Sequence, residues 1–390
     1  MFALPRAVWL LGWVSLATDA ASESIYPLLP FFLTSVLGAG AMSLGVIEGA
    51  AEAVNSLLKI LSGRQADRSR AKRPLVLLGY SVSSAAKPFI AVVTGPIQVF
   101  VVRILDRLGK GVRGAPRDAM LASWATPETR GRVYGVHQAM DNLGAVIGPA
   151  LATLFLLFYP GRYRTLFALT VIPGAISVLL ILLIPERTDV EAHASEPVVS
   201  ASKRTGEKTT DQSLPPAFTR FMVILTVFAL GNSTDAFLLL RLTQAAGSAT
   251  YVPLMWAGIH VVKSAVSFVS GDWSDRIGRR AVITIGWIVY AIVYAGFAFS
   301  ERLTPLLVWF IVYGFYFGFA EGTEKALVAD LAPASRRGMA FGIYNAVTGL
   351  GALAASIVFA LVWQWFGAPI AFGVGAALAF VATTLLFVAL

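Results

Sequence analysis

The sequence predicts an all-α membrane protein of twelve transmembrane helices in two pseudo-symmetric six-helix bundles. Three observations carry this. Apolar residues fill 57% of the 390 positions and the mean hydropathy is +0.72, above the apolar half of an ordinary globular chain. Apolar windows of about 20 residues, the length that crosses ~30 Å of hydrocarbon, recur along the whole chain. A motif of the first half returns in the second: Ser62-Gly63-Arg64-Gln65-Ala66-Asp67-Arg68 as Ser270-Gly271-Asp272-Trp273-Ser274-Asp275-Arg276.

In order, the spans are expected at 8–37, 43–63, 75–95, 97–120, 130–158, 164–184, 217–245, 251–271, 281–300, 304–330, 337–363 and 368–390. The first follows a single Arg6 and has no small-residue cleavage site after a short apolar core, so it reads as a retained helix. The repeated motif closes spans two and eight. Arg130-Gly131-Arg132-Val133-Tyr134-Gly135, opening span five, is echoed by Arg337-Gly338-Met339-Ala340-Phe341-Gly342, opening span eleven. Between spans six and seven the chain turns polar from Pro185 to Pro216, too poor in apolar residues to build a core. The expected organisation is therefore a six-helix bundle over 1–184, a cytoplasmic linker over 185–216 and a second bundle over 217–390.

Charge sets the topology. The formal net charge of +9 would suggest nucleic acid in a soluble chain, but here the basic residues crowd alternate short loops (Arg64, Arg68, Lys72, Arg73; Arg276, Arg279, Arg280; Arg336, Arg337). That bias places both termini in the cytoplasm of a multi-pass inner-membrane protein, with lipid as the surroundings and no nucleic-acid partner. With no cysteine, disulfides and thiolate metal sites are excluded.

Ionisable residues inside spans are the candidates for function, because each costs several kcal/mol unless it faces a cavity or a partner. They are Asp19 and Glu23 in span one; Glu48, Glu52 and Lys59 in two; Lys87 in three; Arg103, Asp106, Arg107 and Lys110 in four; His137 and Asp141 in five; Asp235 in seven; His260 and Lys263 in eight; Glu321, Glu324 and Lys325 in ten. Spans six, nine and twelve carry none in their interior. Helical spacing gathers Asp19, Glu23 and Tyr26 on one face, Glu48, Glu52, Asn55 and Lys59 on another, and His137, Asp141, Gly144 and Gly148 on a third. A substrate cavity near the midplane is expected, lined by Asp19, Glu23, Glu48, Glu52, Asn55, Arg103, Asp106, His137, Asp141, Asp235, His260, Lys263, Glu321 and Glu324.

Glu23 and Asp141 are candidate protonation switches, since a carboxylate held out of water can be loaded and unloaded by a gradient. Arg103 with Asp106 at i, i+3, and Glu321 with Lys325 at i, i+4, are also spaced as structural ion pairs. His137, Asp141 and His260 have a spacing open to a metal, but membrane histidines more often serve proton paths, so no metal or cofactor is expected. Gly109-Lys110-Gly111-Val112-Arg113-Gly114 spells a dinucleotide loop, yet it follows no strand and is discounted. Asn232-Ser233-Thr234 fits a glycosylation sequon but lies within span seven.

The doubled loop, Gly63 with Asp67 and Arg68 and Gly271 with Asp275 and Arg276, resembles the signature loop of the major facilitator superfamily. Arg103 is similar to that family's intramembrane arginine, here followed by Asp106-Arg107. Gly144, Gly148 and Pro149 resemble the motif of its twelve-helix drug:proton antiporters, and Tyr26-Pro27-Leu28-Leu29-Pro30 the end of their first helix. The resemblance covers the whole chain and implies a monomeric secondary transporter that works by alternating access. The loops would latch the cytoplasmic side, and Gly144 and Gly148 would bring span five close to a helix of the other half. The expected function is proton-coupled antiport exporting a small organic molecule. Alternatives are import or symport of a charged nutrient, siderophore or metal chelate, and, remotely, an intramembrane lipid-acting enzyme.

Overall fold

The computed structural model describes residues 4–68, 72–124, 130–185, 214–333 and 336–389, which are helical with no strand. Span one is Arg6–Ile25, carried on through tighter and wider turns (Tyr26–Leu28, Leu29–Phe31, Phe32–Val36). Spans two to six are Ala41–Arg68, Arg73–Ala86 with the turn Lys87–Ala91, Pro96–Ser123, Arg130–Phe158 and Tyr163–Leu182. Spans seven to twelve are Pro216–Ala246, Val252–Ile277, Arg279–Phe299, Leu303–Leu331, Arg337–Phe366 and Ala368–Ala389. Of the expected linker, 186–213 lie outside the described residues.

Among the described residues, seven helices are apolar enough to cross a membrane on composition alone. The remainder, spans one to four and eight, are those whose intramembrane charges lower their hydropathy, and the fold turns those charges inward. Outward-facing Ile97, Phe158, Leu179, Phe299 and Phe387 are exposed, as a lipid-facing surface requires.

The repeat extends to individual bonds. Ser62 Oγ of span two donates to the Gly111 carbonyl of span four at 2.7 Å, and Ser270 Oγ of span eight donates to the Gly318 carbonyl of span ten at 2.6 Å. Each serine closes the same helix pair in its own half. The turns repeat as well: Gly38 after span one and Gly247 after span seven have φ of 68° and 64°, where a side chain would be strained.

Glycines set the closest approaches. Gly144 and Gly148 face the backbone of Leu16 and Ala20 in span one, so these glycines bring span five close to its own half and not, as the motif suggested, to a helix of the other. Ser24 Oγ fixes the register by donating to the Gly148 carbonyl at 3.0 Å. Between halves, span two meets span eleven along a seam in which Gly45 faces Ser356, Gly49 faces Leu353 and Gly349 faces Ser56. Spans five and eight form a second contact between the halves.

Candidate functional site

A cavity of about 550 Å³ lies between the halves, walled by spans one, two, four and five on one side and spans eight and ten on the other. Its residues sit on the parts of these helices nearest the basic loops: Lys59, Lys110, Arg113 and Arg117, Asp141, Lys263 and Glu321. The opposite end is closed. There Trp256 Nε1 donates to Glu23 Oε2 at 2.7 Å, the Tyr26 ring lies 5.1 Å from the Trp256 ring, and the Tyr26 and Thr234 hydroxyls are 3.5 Å apart. Helix Ala236–Ala246 packs against Leu29–Phe31 at the same level.

Two carboxyl groups meet on the cavity wall. Asp19 of span one and Asp141 of span five line the same wall as electrostatic neighbours, and Ser15 Oγ donates to Asp141 Oδ1. Two neighbouring carboxylates repel and offer only acceptors, so a proton shared between them relieves both. Charged and titratable neighbours of the pair include Glu23, Lys87, Lys110, Arg117, His137 and His260.

On the other wall, Lys263 and Lys325 both reach Glu321, at 2.8 and 3.3 Å. Lys263 Nζ also sits 4.7 Å from the centre of the Phe317 ring.

The family model of the Major Facilitator Superfamily matches residues 9–262 and 221–390. The chain belongs to the major facilitator superfamily. It is similar to an uncharacterised MFS-type transporter of Methanocaldococcus jannaschii, 32% identical over 93% of this chain and 89% of that protein. It is also similar to the multidrug resistance protein MdtH of Cronobacter sakazakii, 25% identical over 82% and 77%. Among solved structures the nucleoside transporter NupG shares the fold at TM-score 0.76 and 15% identity, covering 98% of each chain. A bacterial homolog of the human lysosomal transporter Spinster does so at 0.75 and 12%, covering 98% of this chain and 96% of that one.

Within this major facilitator fold, six of the expected site residues line the large cavity: Asp19, Glu23, Asp141, His260, Lys263 and Glu321. The others are placed elsewhere. Arg103 grips Glu48 through two bonds, Nε to Oε1 at 2.7 Å and Nη2 to Oε2 at 2.6 Å, and reaches Asp106 at 3.5 Å. Asp106 also takes a bond from Ser83 at 2.5 Å and has Lys87 at 3.7 Å. This buried set of two acids and two bases is balanced within the first half and faces helices, so Glu48, Arg103 and Asp106 leave the cavity set. Glu52 accepts from Asn55 at 3.1 Å outside the cavity lining. His137 is buried without lining the cavity either.

Asp235 accepts from the Tyr313 hydroxyl at 2.8 Å, inside an aromatic cluster of Tyr290, Tyr294, Tyr313 and Tyr316. Glu324 is held by Trp287 Nε1 at 2.9 Å and the Tyr344 hydroxyl at 3.1 Å. With Glu321 it borders a smaller cavity of about 130 Å³ in the second half. Among the described residues no group of three or more His, Asp or Glu is placed to hold a metal. The side chains of Gly63, Asp67, Arg68, Gly271 and Asp275 lie outside the described residues; Arg276 is exposed.

Two features escape the sequence reading. Span seven is broken between Gly231 and Ala236. There Asn232 donates to the Tyr316 hydroxyl at 3.0 Å, Ser233 meets the Tyr294 hydroxyl at 3.2 Å and the Thr234 backbone N–H donates to Ser356 Oγ at 3.2 Å. The signal available was a glycine followed by four polar residues inside an apolar run. The other is the cationic wall that Arg113 and Arg117 form with Lys110, two of the three residues lying in the discounted loop motif.

Proposed function

We propose that the chain is a proton-coupled antiporter of the plasma (inner) membrane that exports a small organic molecule, with both termini cytoplasmic. The Asp19–Asp141 carboxyl pair carries this reading. It sits on the cavity wall, contains a site for one exchangeable proton, and joins spans one and five, which pack along their length. A solute group that needs the deprotonated pair would compete with the proton, and competition for one site is what obliges exchange. The basic-loop end would be cytoplasmic by the charge bias, making the described state open to the cytoplasm and closed outside. The similarity to a multidrug resistance protein favours the outward direction. The reading assigns the chain no catalysis, no cofactor and no partner beyond solute, protons and lipid, and takes it as a working monomer.

The test uses proteoliposomes loaded with a pH dye and an imposed pH gradient. Adding a cargo identified by thermal stabilisation should drive proton movement opposite to cargo, and Asp19→Asn or Asp141→Asn should abolish it with the melting temperature of the cargo-free protein retained. Proton movement in the same direction as cargo would establish symport instead, and flux indifferent to the gradient would remove the coupling role.

A further inference from the structure

The segment Gly109 to Gly114, set aside as a nucleotide-loop spelling, acquires a use in three dimensions. Gly109 lies against Gly79 and Ser83 of span three, and Gly111 against Leu58 and Asn55 of span two, close enough that a Cβ at either position would clash. These glycines seat span four in the groove between its neighbours. Lys110 and Arg113, three residues apart, share the stripe that lines the cavity, and Arg117 extends it one turn further.

Only some of the cations lining the cavity are taken up by protein carboxylates. Arg117 is paired with Asp118 at 2.9 Å, and Lys263 and Lys325 are occupied by Glu321. Lys59, Lys110 and Arg113 have no carboxylate within 4.0 Å among the described residues. Arg113 is only 4% exposed, its guanidinium carbon stands 4.1 Å from the centre of the Tyr80 ring, and its Nη1 has no hydrogen-bond partner. A guanidinium withdrawn from water with an unfilled donor is unfavourable, and an oxyanion is the group that best fills it.

We infer that the cargo is a zwitterion, with its oxyanion at Lys110 and Arg113 and its ammonium group in place of the proton between Asp19 and Asp141. This rests on the antiport reading of that pair. The two poles line one cavity, on spans one, four and five of the same wall. Exchanging one proton for one ammonium leaves the charge of the carboxyl pair unchanged, while the oxyanion neutralises the Lys110–Arg113 stripe. A purely anionic solute would bind best with the pair protonated and would travel with the proton. A purely cationic one would leave Arg113 unfilled.

The probes are aminocarboxylates of graded size that fit 550 Å³, each with its methyl ester (cation only) and N-acetyl derivative (anion only). They are added to the full chain in nanodiscs, and binding is read by thermal shift and calorimetry in weak buffer. At least one parent aminocarboxylate should bind about tenfold or more tightly than both blocked forms, as expected for loss of a charge-assisted bond. It should release one proton per molecule bound. Lys110→Gln and Arg113→Gln should each weaken it about tenfold, and Arg113→Lys should recover part of the loss. Binding of the N-acetyl form equal to the parent, no binding by any aminocarboxylate, or unchanged affinity in both Gln variants would overturn the cargo class. Binding that depends on Lys110 and Arg113 but releases no proton would leave the oxyanion seat standing, and would remove both the ammonium seat and the antiport reading.

Discussion

The indole of Trp256 donates its only hydrogen bond to Glu23 across the interface between the two halves, at 2.7 Å, directly beneath the closed end of the cavity. Tyr26 of span one flanks the same ring. This joins a candidate coupling residue to the closure itself.

Trp256→Phe keeps an aromatic ring and removes the donor. The expected outcome is a shift away from the state closed at the far end, so that a cysteine at Ala360, buried in the seam against Gly45, becomes several-fold more reactive. The native chain has no cysteine, which makes the measurement clean. Labelling equal to that in the unaltered background would mean that the bond is decorative.

At the other end, Asp67→Asn and Asp275→Asn should weaken the cytoplasmic latch that the repeated loops are proposed to form. A cysteine at Ser267, on the cavity wall, should then label faster with a membrane-impermeant maleimide from the cytoplasmic side. No change in either variant would reduce the loops to topology signals.

Glu48→Ala strands Arg103 in a buried site, and loss of about 3–5 kcal/mol is expected for an orphaned charge of this kind. The double variant Glu48→Leu with Arg103→Met should recover most of the melting temperature, because it removes the charge along with its partner. A double variant as unstable as the single would point to Arg103 bonds beyond this pair.

Gly148 faces the Ala20 backbone, which cannot step aside as a flexible side chain would. Gly148→Leu should therefore lower the melting temperature of the whole protein, and Gly148→Ala should already cost about 1–3 kcal/mol. Transport lost with the melting temperature intact would instead restore a gating role for the motif.

Much of this molecule is legible without coordinates. Twelve spans, the repeat and the inward turn of the charges follow from hydropathy and from the cost of a charge in lipid. Partnership does not. Arg103 and Asp106 are spaced as neighbours on one helix, yet the stronger grip on Arg103 comes from Glu48, fifty-five residues away, since helix rotation and depth decide which acid arrives. Gly144 and Gly148 announce a close helix contact while saying nothing of whose helix it is. The break in span seven stays hidden because its apolar flanks dominate any window of about 20 residues.

The seam between spans two and eleven has a mechanical consequence. From Gly45 to Ser56 it runs about 16 Å, and at three levels the contact is made by a glycine on one side. Such a surface has few knobs to withdraw from holes, so the halves can tilt over it with little repacking, as on a plain bearing. What limits the stroke is then the bulk of the residues at 45, 49 and 349, and a single methyl group at any of them would act as a brake on motion without touching cargo or proton.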